Sequence, residues 1–182
     1  MFRFEDLNPI VRKLMIEELE NDIKNGTLYI SPRLNKSGQM ECPNLLRRAF
    51  SSGNERTLSQ ELKERGLINE MEIRRKPKGG FTEVKVPVNA HQLLAEGEFN
   101  RFYIRALCRL SIEESAGALE VYRAKEVNHP RLESEDKIGR LVAADSLLND
   151  LRTNPGVELA LGLPPGPNSG LSVRLHNRSN NS

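Results

Sequence analysis

Apolar positions fall into runs of two different periods, and the runs predict the elements. Ile10, Leu14, Met15, Leu19 and Ile23 recur at helical spacing behind an Asn8-Pro9 start, and Asn25-Gly26 closes this first helix. "TLYIS" (27–31) reads as a short strand, and "PRLNKSGQMECP" (32–43) as a loop punctuated by Pro32, Gly38 and Pro43. Asn44 is placed to cap a short second helix, "LLRRAF". Thr57 and Gln60 are spaced as the capping box of a third, "LSQELKER", which Gly66 stops. Met71, Ile73, Val84 and Val86 then alternate around Pro77 and Gly79-Gly80. That alternation predicts a β-hairpin over 69–88 with its turn within Lys76 to Gly80.

The second half opens on the most apolar segment, "NAHQLLAEGEFNRFYIRALCRLSIEE", with Asn89 as its cap. Leu93, Phe99, Phe102, Tyr103, Ile104, Leu107, Leu110 and Ile112 cover most of a helical wheel, so this is a central helix. Gly97 costs it about 1 kcal/mol relative to alanine and reads as a close helix crossing. "ALEVYRAKEV" predicts a strand, and "ESEDKIGRLVAADSLLNDLR" short helical segments with Asp145 as a cap. From Asn154 the chain is rich in Pro, Gly, Asn and Ser, interrupted by the apolar run "LSVRL". The expected fold class is α+β. Its expected parts are a first segment (1–88), a central helix with a strand and short helices (89–153), and a tail (154–182).

The order helix, strand, helix, helix, hairpin over residues 8 to 88 resembles winged-helix DNA-binding domains. The resemblance implies a third helix lying in the major groove and a hairpin, the wing, touching backbone or minor groove. One departure is the loop 31–43, longer than the usual connection inside such a module. It leaves the packing of the strand against the hairpin open.

Charge sharpens this picture. The net charge is only +2, so any basic surface is local. Residues 44–88 hold ten Lys or Arg against six Asp or Glu, and Arg74, Arg75, Lys76 and Lys78 crowd the hairpin turn. Four cations there suit phosphate contact, and equally suit a solvated edge that resists aggregation. On the third helix Gln60 and Lys63 are candidates for reaching bases, against Glu61 and Glu64, which repel phosphate. Arg101, Arg105 and Arg109 repeat every fourth position on the central helix, an anion stripe or a set of internal ion pairs. Pairing with Glu133, Glu135 or Asp136 is the favoured expectation.

The remaining candidates are weaker. "NHPRLESED" sets His129 and Arg131 beside Glu133 and Glu135, and its Glu-x-Glu with a nearby Arg resembles ADP-ribosyltransferase sites. An acidic helix start is the preferred reading. His91, His129 and His176 have no metal-ligand spacing, so neither a metal nor a cofactor is expected. Leu171, Val173 and Leu175 need burial, either on a partner or on their own domain. Their run is similar to the short C-terminal tags that load cargo into encapsulin shells. Cys42 and Cys108 form no CxxC pair and read as reduced thiols. No signal peptide or spanning segment is evident, so the expected location is the cytoplasm and no membrane partner is expected. The expectation is a nucleic-acid-binding accessory protein rather than an enzyme. The alternative is a structural subunit of a bacterial or phage assembly, whose central helix and C-terminal run bury against partner chains.

Overall fold

A computed structural model describes residues 2–128, 130, 132–154 and 169–176. Helix α1 (Pro9–Asn25) begins where expected. The Asn8 side chain accepts the amides of Ile10 and Val11, and Gly26 ends the helix in the left-handed region at φ 67°. Its inward face carries Val11, Leu14, Met15 and Leu19, and also two acids, Glu18 and Asp22.

The next stretch departs from expectation. Residues 27–31 form no strand. Pairing comes later and is minimal: Leu34 bridges Ile68, flanked by the Asn35 amide on the Leu67 carbonyl (3.0 Å) and the Asn69 amide on the Arg33 carbonyl (2.8 Å). It stops there because α2 (Lys36–Ser51) starts at once, capped by Asn35 rather than Asn44. The expected loop is therefore largely helix. Pro43 sits inside it, lacking one amide. Burial of Cys42, Leu45, Leu46, Ala49 and Phe50 outweighs that local penalty. Gly38 reads as a loop residue in sequence but does steric work. A Cβ there would stand 2.5 Å from the Leu67 carbonyl oxygen, so only glycine lets the chain cross so near.

Helix α3 (Glu55–Glu64) starts earlier than expected. Asn54 is its N-cap, and Thr57 closes the capping box from the third position instead of opening one. Leu58 and Leu62 point inward. The hairpin then forms as expected from β1 (Met71–Arg75) and β2 (Phe81–Lys85), paired antiparallel from Met71–Lys85 to Arg75–Phe81. The Lys76 amide closes the turn on the Gly80 carbonyl at 2.9 Å. None of the hairpin's strand residues belongs to the hydrophobic core.

Helix α4 (Ala90–Glu113) is the central element. Phe99, Phe102, Tyr103 and Leu107 are fully inaccessible, and α1, α3 and α6 pack around it. Asn89 makes no capping hydrogen bond, and nothing approaches a Cβ built at Gly97, so the expected close crossing there is absent.

The chain continues through β3 (Ala118–Arg123), the single turn α5 (Leu132–Glu135), β4 (Leu141–Ala143), α6 (Ala144–Thr153) and β5 (Leu171–Leu175). Asp145 lies in the first turn of α6, not at its cap. Strand order is β4-β3-β5, both pairings antiparallel. The C-terminal run is thus a strand of this chain's own sheet, with Leu171 and Val173 buried and Leu175 half-buried against the core. Asn100 on α4 fastens it, donating to the Leu171 carbonyl (2.9 Å) and accepting from the Ser172 hydroxyl (2.6 Å). The molecule is α+β, and one core runs through both halves of the chain.

Candidate nucleic-acid interface

The hairpin register assigns its side chains to two faces. Glu72, Arg74, Thr82 and Val84 share one face. Met71, Ile73, Arg75, Phe81, Glu83 and Lys85 share the other. The apolar residues that announce the hairpin are therefore split between faces, which is why it packs no apolar side into the core. The first face turns toward the body. Glu72 accepts from Arg33 Nε at 2.7 Å and from Arg74 Nε at 2.7 Å. Hydrogen bonds from Arg33, then Arg74, hold the Glu72 carboxyl below the usual carboxylate range, although its burial opposes them. The four tip cations are thus unequal. All four are exposed, but Arg74 shares a carboxylate with Arg33, whereas Arg75, Lys76 and Lys78 meet no acid among the described residues.

On α3, Gln60 and Lys63 are exposed as expected. Gln60 donates its amide to Glu64 at 2.8 Å, so that donor is occupied by its own helix. Glu61 turns away to Arg48, with Arg65 4.0 Å off, which removes one of the two acids expected to repel phosphate. Arg65 also pairs with Glu41, tying the end of α3 to α2.

The arginine stripe is not an open anion site. Arg105, 2% exposed, donates to Glu18 (2.9 Å) and doubly to Asp22 (2.6 and 2.9 Å), and its guanidinium lies 4.7 Å from the Phe102 ring centroid. Arg109 meets Glu17 at 2.9 Å and Glu113 at 3.3 Å. Arg101 pairs with Glu98, lies between the Tyr29 and Phe102 rings, and leaves Nε and Nη1 without a hydrogen bond among the described residues. Pairing is as expected, but its partners are not. Glu18 and Asp22 of α1 take the place of Glu133, Glu135 and Asp136. Sequence periodicity carried the signal, since Glu18 and Asp22 sit i,i+4 on the buried stripe of α1. Arg152 of α6 completes the group at 2.5 Å from Glu18. Burial pushes the Glu18 carboxyl up, but Arg152 and Arg105 outweigh it and leave it below the usual range. Glu98 is the opposite case, where burial wins over Arg101 and raises it.

His129 and Arg131 lie outside the described residues. Of their neighbours, Glu133 is exposed and Glu135 pairs with Arg123. Ser59 and His91 Nδ1 meet at 2.9 Å, a strut between α3 and the start of α4 that sequence reading missed. No carboxylate is paired with His91 among the described residues, so a nucleophile-base-orienter triad is not assembled. Cys42 and Cys108 are free and buried; burial pushes the Cys42 thiol up to about 12, and Cys108 likewise upward. No group of three His, Cys, Asp or Glu that could hold a metal occurs among the described residues, and no described helix is long and apolar enough to cross a membrane. Comparison with protein-family models, curated proteins and solved structures gives no match.

Proposed function

We propose that this chain is a nucleic-acid-binding accessory protein that grips the sugar-phosphate backbone with its hairpin and catalyses no reaction. The observation that carries this reading is the contrast in how cations are committed. Most arginines on the helical body meet a carboxylate, whereas Arg75, Lys76 and Lys78 project from a ribbon outside the core and meet none among the described residues. Exposed, unpaired cations release counterions on meeting phosphate. The exposed side of α3, with Gln60 and Lys63, is the secondary surface. Two free thiols fit a reducing, cytoplasmic setting. The assembly-subunit alternative loses its specific support, because α4 and β5 are buried within the chain itself.

The test is duplex binding over a salt series. Replacing Arg75, Lys76 and Lys78 with alanine should lower the slope of log affinity against log salt by roughly two to three units. An unchanged slope, or no retention of wild type on either duplex or single strand at low salt, removes the reading.

A further inference from the structure

We propose that the outward face of the hairpin binds single-stranded nucleic acid, with an unpaired base stacked on Phe81 and the flanking phosphates held by Arg75, Lys76, Lys78 and Lys85. This rests on the nucleic-acid reading above and narrows its substrate class. Phe81 and Ile73 are 71% and 74% exposed, and Met71 continues the same face at 39%. The register puts Arg75 directly opposite Phe81 at the tip and Lys85 opposite Met71 at the base. Cross-strand neighbours on one face stand close enough to act on one ligand. The face therefore alternates cation and apolar surface along its length, with Glu83 as its single acid.

The face is held outward. Glu72 on the opposite side is anchored to Arg33, so the ribbon cannot roll its apolar side inward without breaking that pair. No described helix or strand covers it.

An intact duplex offers this face the wrong chemistry. Its bases are stacked on one another and show only their edges, which leaves an exposed phenyl ring and Ile73 without apolar contact. A single strand offers base faces and phosphates together, and aromatic rings beside cations are how such strands are held without regard to sequence. The cations outnumber the acid, which favours a polyanion over a neutral or basic protein surface.

The experiment measures affinity for a labelled oligothymidine and for a duplex of equal length, each over a salt series. Wild type should prefer the single strand. Phe81→Ala should weaken oligothymidine binding roughly 5- to 150-fold with an unchanged salt slope, as expected for loss of one stacked base. Phe81→Trp should retain binding. Alanine at Arg75, Lys76 and Lys78 should instead lower the single-strand slope by about two units. Equal affinity for duplex and strand with no effect of Phe81→Ala overturns the stacking proposal while leaving backbone gripping intact. Binding to neither overturns both. Concentration-dependent self-association that Phe81→Ala abolishes assigns the face to a second copy and also overturns it. If alanine lowers the melting temperature, Phe81→Trp and Phe81→Leu compared at matched stability read the same contrast: only loss in the Leu variant supports stacking.

Discussion

The hairpin and the α1–α4–α6 junction are both rich in cations, and they use them in opposite ways. At the junction, helical spacing puts Glu18 and Asp22 on one stripe of α1 and Arg105 and Arg109 on one stripe of α4, so charges meet in register, with Glu18, Asp22 and Arg105 buried and Arg109 half-buried. On the hairpin, strand alternation throws adjacent cations to opposite faces. Arg74, though exposed, lies on the side of Glu72 and pairs with it, and Arg75 goes out to solvent unpaired among the described residues. A cluster of cations in sequence does not say whether its charge is available. The period of the backbone and the acids on the neighbouring element decide that.

The largest effect should come from breaking the junction. Arg105→Met leaves Glu18 and Asp22 buried with less counter-charge, and unpaired buried charge costs about 3–5 kcal/mol. Urea denaturation at neutral pH reads this directly. A loss under about 1 kcal/mol means the acids reach other partners or water. Two of the buried carboxylates, Glu18 and Glu98, also predict opposite responses to pH. Glu18 has a lowered folded-state pKa, so its contribution is present above the usual carboxylate value and lost as pH falls through the lower folded value. Glu98 has a raised one, so its contribution is present below the usual value and lost as pH rises through the raised value. Glu18→Gln should flatten the acid limb of the stability profile. Glu98→Gln should remove a decline on the less acidic side. The same profile shape for both variants would contradict the assignment.

How much of this was legible in sequence follows from which forces are local. Asn8-Pro9, the hairpin turn and the wheel of α4 are short-range signals, and all three are where the sequence puts them. The second half of α2, "LLRRAF", is where the sequence puts a helix, but its first half was not legible because Gly38 and Pro43 are local breakers whose cost tertiary packing outweighs. "TLYIS" has strand propensity but pairs with no strand among the described residues, and propensity without pairing makes no sheet. The candidate site divides the same way. The exposure of Arg75, Lys76 and Lys78 follows from turn geometry, but Arg33 as the anchor of Glu72 is a long-range pairing with no local signature. The place of Phe81 is legible from strand alternation, which sets it with Glu83 on the face opposite Val84.

Two glycines sharpen the contrast between the root of the hairpin and the central helix. Alanine in a helix interior normally gains about 1 kcal/mol over glycine. At Gly97, with nothing within 4 Å of a built Cβ, Gly97→Ala should gain roughly 0.5–1 kcal/mol. At Gly38 the sign should reverse. A Cβ meets the Leu67 carbonyl, a backbone atom that cannot rotate away, and overpacking of this kind costs about 1–3 kcal/mol. Thermal melts of the two variants should move in opposite directions. Gly38→Ala should also speed amide exchange at Asn69, whose bond to the Arg33 carbonyl lies beside the displaced segment.

The smallest expected effect is the most telling for the hairpin. Arg75, Lys76 and Lys78 touch no acid among the described residues, and the strands that carry them bury nothing in the core. Their joint replacement with alanine should shift stability by no more than about 0.5 kcal/mol, as for ordinary surface positions. Arg33→Ala should cost more, up to about 1 kcal/mol, because it frees a partly shielded carboxylate. It should loosen the ribbon, read as faster exchange of the Val86 amide that donates to the Glu70 carbonyl. That ordering, anchor above tip, separates charge that holds the fold from charge left over for a ligand. If the tip variant melts lower than Arg33→Ala, the tip cations are structural, and the contrast between the two regions collapses.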